Sequence, residues 1–312
     1  QPTHADTHMG TVAHAKFMLG YLQTAIQHQM PPMMLRLDEA GWQQVIGSHG
    51  GADFDAEAIA AILEMTNTLE EAEALHAKVQ ETGLVFCLTH NYTGYPMVRQ
   101  AKAMVMDGQL GTIRLVQVEY VQGGKADESL VFSPEDWKFD PVRGGPSRVM
   151  GDIGTHAHNF TRFITGLEVD EVAAEIGAIV PDRPIHDFGG AMLRLENGAR
   201  GSFWVTQAAA GVENSLKIRV SGTKGTLEWW QEFPQALTFK PLSGPSQNRT
   251  PNGPETLPLS ARCTRLVAGH PEGFPDGFAN VYSDAAEAIA ARRAGKTPDP
   301  LALHFPNAFD GL

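Results

Sequence analysis

The stretch Ala191-Met192-Leu193-Arg194-Leu195-Glu196-Asn197-Gly198-Ala199-Arg200-Gly201-Ser202-Phe203-Trp204-Val205-Thr206 decides the fold class. Two apolar-rich runs, 191–195 and 201–206, flank Asn197-Gly198. Both residues of that dipeptide tolerate positive φ, so it signals a tight hairpin turn. The pattern repeats downstream, where Leu216–Val220 and Thr226–Trp230 flank Gly222-Thr223-Lys224-Gly225. Upstream, Val116, Val118 and Tyr120 alternate with polar residues as in a half-buried strand, and residues 172–180 form another strand candidate. Consecutive hairpins predict a large, mostly antiparallel open sheet in an α+β arrangement.

Toward the N-terminus the texture is that of an α/β region. Residues 11–30 read as helix closed by Pro31-Pro32, residues 43–47 as a short strand, and 55–63 as a helix with Ala58, Ile59 and Ile62 on one face. Thr68 with Glu71 three positions later has capping-box spacing ahead of a helix through Val79, and Gly83 stops it. Leu84-Val85-Phe86-Cys87-Leu88 reads as a fully buried strand, and 95–106 as a second helix ending near Asp107-Gly108. Residues 241–258 are rich in Pro, Gly, Ser and Asn and read as a loop. A final helix is expected over 280–294.

The whole chain bounds its function class. It has 312 residues, 42% hydrophobic and 19% charged, which is globular and long enough for about two domains. A net charge of −12 without a cluster of Lys and Arg argues against nucleic acid or anionic membrane as a partner. Two cysteines, Cys87 and Cys263, are too few for a disulfide framework or a thiolate zinc site. No apolar run reaches the roughly 18 residues that span a bilayer, and no signal-peptide pattern is present, so a cytoplasmic location is expected. Gln1 and Leu312 read as cut edges of something longer.

The segment that carries chemistry is Gly151-Asp152-Ile153-Gly154-Thr155-His156-Ala157-His158-Asn159-Phe160, opening a helix that runs to Gly166. At about 100° per residue, His156 falls about 40° to one side of Asp152 and Asn159 about 20° to the other, along the edge of an apolar stripe. His158 falls about 240° away and is expected in solvent. A carboxylate four residues before an imidazole can orient the ring and tune it for acid–base work. The same geometry also suits a helix histidine that is merely satisfied by its neighbour.

The stretch before it, Trp137-Lys138-Phe139-Asp140-Pro141 through Gly144-Gly145-Pro146, completes a pattern. From Trp137 to His156 the chain resembles the glucose–fructose oxidoreductase/inositol dehydrogenase (Gfo/Idh/MocA) family of nicotinamide-dependent sugar and polyol dehydrogenases. That family carries a tryptophan, a basic residue and an aspartate, then glycines, then Asp-x-Gly-x-His. Met65 to Ala72, Thr89-His90-Asn91-Tyr92, Gly108-Gln109-Leu110-Gly111 and His270-Pro271-Glu272-Gly273 are similar to further family segments, in the same order.

The resemblance implies a Rossmann-like nucleotide-binding region over 1–92 and a substrate-binding and oligomerisation domain over 93–312. It implies NAD or NADP as cofactor, a sugar or polyol substrate, and a homo-oligomer formed through the C-terminal sheet. His156 would exchange a proton with the substrate hydroxyl while hydride passes to nicotinamide, with Asp152 beside it. His90, Asn91, Tyr92, Trp137, Asn159 and His270 would contact substrate. Pro2, Thr3, His4 and Glu64 would lie near the cofactor, and no metal is implied.

Two family elements are missing. No two of the 32 glycines lie two positions apart, so no Gly-x-Gly turn exists to let the backbone approach a pyrophosphate. Where the family reads Glu-Lys-Pro, this chain reads Glu64-Met65-Thr66, without the cation that would support an alkoxide. The Rossmann-like part is therefore expected to be incomplete, giving about one and a half domains. Two rival readings remain open. One is a catalytically degenerate sugar-binding or oligomerising protein, with Phe203, Trp204, Trp229 and Trp230 either covering a sheet interface or packing in the core. The other is a metal enzyme using His4 and His8 at helical spacing.

Overall fold

A computed structural model describes residues 69–130 and 147–312. Its centre is one eight-stranded sheet, β1 (Ile113–Val121), β2 (Val169–Gly177), β3 (Phe188–Leu195), β4 (Arg200–Thr206), β5 (Ser215–Gly222), β6 (Gly225–Trp230), β7 (Leu237–Pro241) and β8 (Gln247–Arg249). The spatial order is β2-β3-β4-β1-β5-β6-β7-β8. Every pairing is antiparallel except β1 with β4, which run parallel with Glu119 opposite Trp204. The expected large, mostly antiparallel open sheet is what the chain forms.

Turn chemistry differs from expectation in one hairpin. Asn197 does not adopt positive φ; only Gly198 does, at 82°. Gly198 N–H donates to Leu195 O and Leu195 N–H to Ala199 O, so an ordinary turn is followed by a left-handed glycine, the bulged alternative to a two-residue mirror turn. Asn197 Oδ1 accepts from Ala199 N–H and its Nδ2 donates to Ile113 O, which ties the turn to the start of β1. Within 241–258, read as loop, Gln247–Arg249 forms a short ladder with β7.

Two helices, 96–106 and 155–165, pack on one face of the sheet, and the others pack around them. α1 (Leu69–Thr82) ends at Gly83 with φ 60°. α2 (Pro96–Met106) begins with Pro at its first turn, where the missing N–H is harmless. α3 (Thr155–Thr165) closes at Gly166 in the left-handed region. A short α4 (Pro258–Ala261) precedes α5 (Phe274–Arg293), which starts six residues before the expected boundary because Pro275 and the Asp276 cap open it earlier. Val116, Val118, Leu216, Ile218, Val220, Leu227 and Trp229 from the strands meet Met97, Met104, Phe160 and Ile164 from the helices in a single core.

Two details place the site. The residues 84–88, expected as a fully buried strand, join no ladder among the described residues, and Leu84 is 56% exposed. Periodicity cannot separate an apolar run that pairs from one that does not. After it, a tight turn, Asn91–Gly94, is pressed against α5. A Cβ on Gly94 would come 2.0 Å from Gly277 O, and Asn280 Nδ2 holds Gly94 O at 2.8 Å. Beneath it, fully buried Arg99 pairs with Asp284 at 2.6 Å, and Asp284 also receives Arg262.

Candidate active site

The site lies where the one parallel pair ends. β1 runs out at Val121 and β4 at Thr206, and both continue side by side, with Gln122 N–H donating to Thr206 O and Lys125 N–H to Gln207 O. Above these ends sits the start of α3, entered through a π-helical turn, Met150–Gly154, in which Thr155 N–H reaches back to Met150 O. Such a widened turn is a frequent marker of functional positions. Glycines within it and opposite it leave room for Met150: Cβ atoms on Gly154 and Gly189 would lie 3.3 Å and 2.8 Å from Met150 Sδ.

The π turn corrects the expected Asp152–His156 contact. A uniform 100° step does not hold across it, so the two side chains take different partners. Asp152 Oδ2 pairs with Arg148 at 2.8 Å and accepts from Gln207 Nε2 at 2.7 Å. His156 instead places Nδ1 3.0 Å from His90 Nδ1, with the two rings edge to face. Tyr92 and Tyr120 complete the walls around the His156 ring, 5.2 Å and 6.2 Å away by centroid. His158 is exposed, as its projection predicted.

Burial sets the protonation. It pulls His156 down to about 4, against the raising influence of the Asp152 carboxylate, and pulls His90 down to about 3, with repulsion from His156 and His158 adding to the shift. Both rings are neutral near pH 7, so one Nδ1 carries the hydrogen between them and the other accepts it.

A polar chain runs beside the pair. Tyr92 Oη meets Tyr120 Oη, Tyr120 donates to Asn214 Oδ1 at 2.8 Å, and Asn214 Nδ2 returns a hydrogen bond to Tyr92 Oη at 3.2 Å. Since the Tyr120 hydrogen is committed to Asn214, Tyr92 must donate to Tyr120, which closes the ring of donors. Gln122 Nε2 donates to Asn214 Oδ1, and Gln207 Nε2 bridges Gln122 Oε1 and Asp152 Oδ2. Burial raises both tyrosine hydroxyls, so they remain protonated donors.

The structure thus brings together His156, His90 and Tyr92 with Asp152 one network away. Asn91 and Asn159 are 3% and 2% exposed, and Asn91 Nδ2 and Asn159 Oδ1 find no partner among the described residues. His270 is not brought in: it is exposed, its Nδ1 against Val267 O, on a loop pinned by Glu272 accepting from Arg265 and Leu266 N–H. Trp137, Pro2, Thr3, His4 and Glu64 lie outside the described residues, as does His8. Sequence reading missed Arg148, Gln122, Gln207 and Asn214. Polar residues at strand ends carry no periodic signal, although Arg148 stood at i−4 from Asp152. Among the described residues no group of three or more His, Cys, Asp or Glu could hold a metal ion, and no helix is long and apolar enough to cross a membrane.

Comparison with known proteins finds chains similar in sequence and fold. The family model described as GFO/IDH/MocA C-terminal domain matches residues 98–228. An uncharacterized oxidoreductase, YfiI, of Bacillus subtilis (strain 168) is 30% identical over 229 residues, covering 72% of this chain and 58% of that protein. The crystal structure of an oxidoreductase from Sinorhizobium meliloti is similar at 41% identity and TM-score 0.67, over 78% of this chain and 63% of that one. An inositol dehydrogenase homolog from Azotobacter vinelandii, complexed with NADH and myo-inositol, is similar at 26% identity and TM-score 0.73, over 93% and 76% of the two chains. The chain spans about three fifths of the length of the first two.

Proposed function

We propose that the chain, whose residues 98–228 match the GFO/IDH/MocA C-terminal domain, serves as an NAD(P)-dependent oxidoreductase acting on a sugar or polyol hydroxyl. The observation that carries the proposal is the His156 ring, neutral and bounded by His90, Tyr92 and Tyr120 at the end of the parallel pair. In alcohol oxidation His156 takes the hydroxyl proton as hydride leaves the carbon, and in reduction it returns it. The nicotinamide supplies the hydride acceptor when bound. Asp152 supports the imidazolium at a distance, through its field rather than a direct bond.

The buried Asn91 N–H and Asn159 carbonyl oxygen, without a hydrogen-bond partner among the described residues, are one donor and one acceptor of the kind vicinal hydroxyls use. The described residues therefore fit the reacting end of such a site. A grip on the dinucleotide phosphates would fall to a nucleotide-binding region over 1–92, which has no Gly-x-Gly. The similar inositol dehydrogenase homolog was crystallised with NADH and myo-inositol, which makes cyclic polyols the first class to try.

The test is a dehydrogenase assay with NAD+ and NADP+ against a panel of polyols and pyranoses, in wild type and His156→Ala. Polyol-dependent reduction in wild type, lost by at least about 100-fold in a folded His156→Ala, is the expected result. Equal rates in both would remove His156 from the reaction. The missing Gly-x-Gly and the Glu64-Met65-Thr66 sequence favour one second reading, a sugar-binding protein without turnover. Polyol binding without NADH binding would establish it.

A further inference from the structure

The mechanism above leaves His156 without the partner that a catalytic imidazole ordinarily needs. One ring nitrogen faces the reacting atom, and the hydrogen bond made by the other decides which tautomer is present. The carboxylate that sequence spacing assigns to this task does not perform it, since Asp152 is held by Arg148 and Gln207. The group that lies against His156 Nδ1 is His90 Nδ1 at 3.0 Å. We propose that His90 is the positioning residue of the reaction, accepting the His156 Nδ1 hydrogen and so leaving His156 Nε2 bare to take a proton from the substrate hydroxyl. The inference rests on the oxidoreductase reading of the same site.

The charges around the pair favour this direction of the hydrogen bond. The Asp152 carboxylate favours positive charge on His156, while burial disfavours charge on both rings and His90 meets only repulsion from His156 and His158. When the pair gains a proton it therefore stays on His156, and His90 remains the neutral acceptor. The other titratable groups near the pair are the Tyr92 and Tyr120 hydroxyls, both held protonated by burial. His90 is itself held in place: its carbonyl accepts from Thr93 Oγ1 at 2.8 Å, and the 91–94 turn is clamped on α5. The proton balance is simple. The substrate O–H bond breaks, a His156 Nε2–H bond forms, and the Nδ1–H bond stays on His156 throughout, directed at His90. Hydride leaves the same carbinol carbon for nicotinamide.

The experiment uses the full chain labelled with 15N-histidine, compared as wild type, His90→Phe and His90→Asn, with His156→Ala for assignment. In wild type at pH 7, imidazole 15N shifts should show His156 protonated at Nδ1 and bare at Nε2, with His90 the reverse. In His90→Phe the His156 proton should move to Nε2. His90→Asn, whose side-chain oxygen falls near the lost Nδ1, should restore the Nδ1 form. In the turnover assay His90→Phe should lower kcat by about 100-fold with KM changed less than about threefold, and His90→Asn should recover most of the loss. A wild-type His156 protonated at Nε2, or a tautomer indifferent to His90→Phe, overturns the proposal. So does a His90→Phe enzyme with unchanged kcat. If wild type turns nothing over while the 15N coupling is present, the oxidoreductase reading fails and the His90–His156 pairing stands.

Discussion

His90 and His156 differ from an ordinary histidine pair in being held neutral, and that has a measurable price in acid. An unfolded histidine titrates near 6.5, whereas burial holds His90 near 3, His156 near 4 and His304 near 4. Between these values the unfolded chain binds more protons than the folded one, so stability falls as pH drops below about 6.5 and is level with respect to these groups above it. At pH 5 the loss is on the order of 2 kcal/mol for each histidine that stays neutral. Urea unfolding at pH 7 and pH 5 should show it, and His90→Asn should flatten the difference; an equal acid sensitivity in that variant would contradict the assignment. His156 was singled out by its place in Asp-x-Gly-x-His and by the family resemblance of that motif. The partner of its ring was not legible, because His90 lies 66 residues away and only the fold joins them.

Among elements, the 91–94 turn and the π turn at 150–154 do the positioning, and they were the least legible. A four-residue turn has no period to read, and the π turn breaks the very period used to project Asp152 onto His156. The long elements fared better: α1, α2, β1 and the hairpins β3–β4 and β5–β6 stand within a few residues of where alternation, caps and glycines put them. The turn also makes a prediction. Gly94→Ala places a methyl into the α5 backbone at Gly277, so it should destabilise the protein by about 1–3 kcal/mol and displace Asn91 and Tyr92. Gly124→Ala, where a Cβ meets nothing within 4 Å, is the matched control in the same denaturation measurement. A neutral Gly94→Ala would mean that the helix and turn are not in contact.

On the scale of the whole molecule, the aromatic residues of the sheet divide by face. Phe203 and Trp229 are in the core, while Trp204 and Trp230 stand on the other face with Gln117, Glu119, Lys217, Arg219 and Glu228. That face holds a cavity of about 470 Å³, and Trp204 and Phe233 are 38% and 60% exposed. A surface carrying both charge signs beside exposed rings can complement a copy of itself, and we propose that it is where two chains meet. Trp204→Glu should convert an oligomer to a smaller species in sedimentation velocity; a wild-type monomer would remove this interface.

The parallel pairing of β1 with β4 bears on how the sheet is assembled. β2 to β4 form one ribbon and β5 to β8 another, each made of neighbours along the chain, so each can zip from its own turns. No strand of either ribbon pairs with the other. β1 alone bridges them, and its contact with β4 joins residues such as Glu119 and Trp204, 85 positions apart. Closing these long loops on either side of β1 is entropically expensive, and the pairings with β4 and β5 are what bring Tyr120 and Gln122 beside Gln207 and Asn214 respectively. β1 is thus the strand whose pairings on both sides assemble the polar chain, and a change that loosened it would part the two ribbons and open that chain at once.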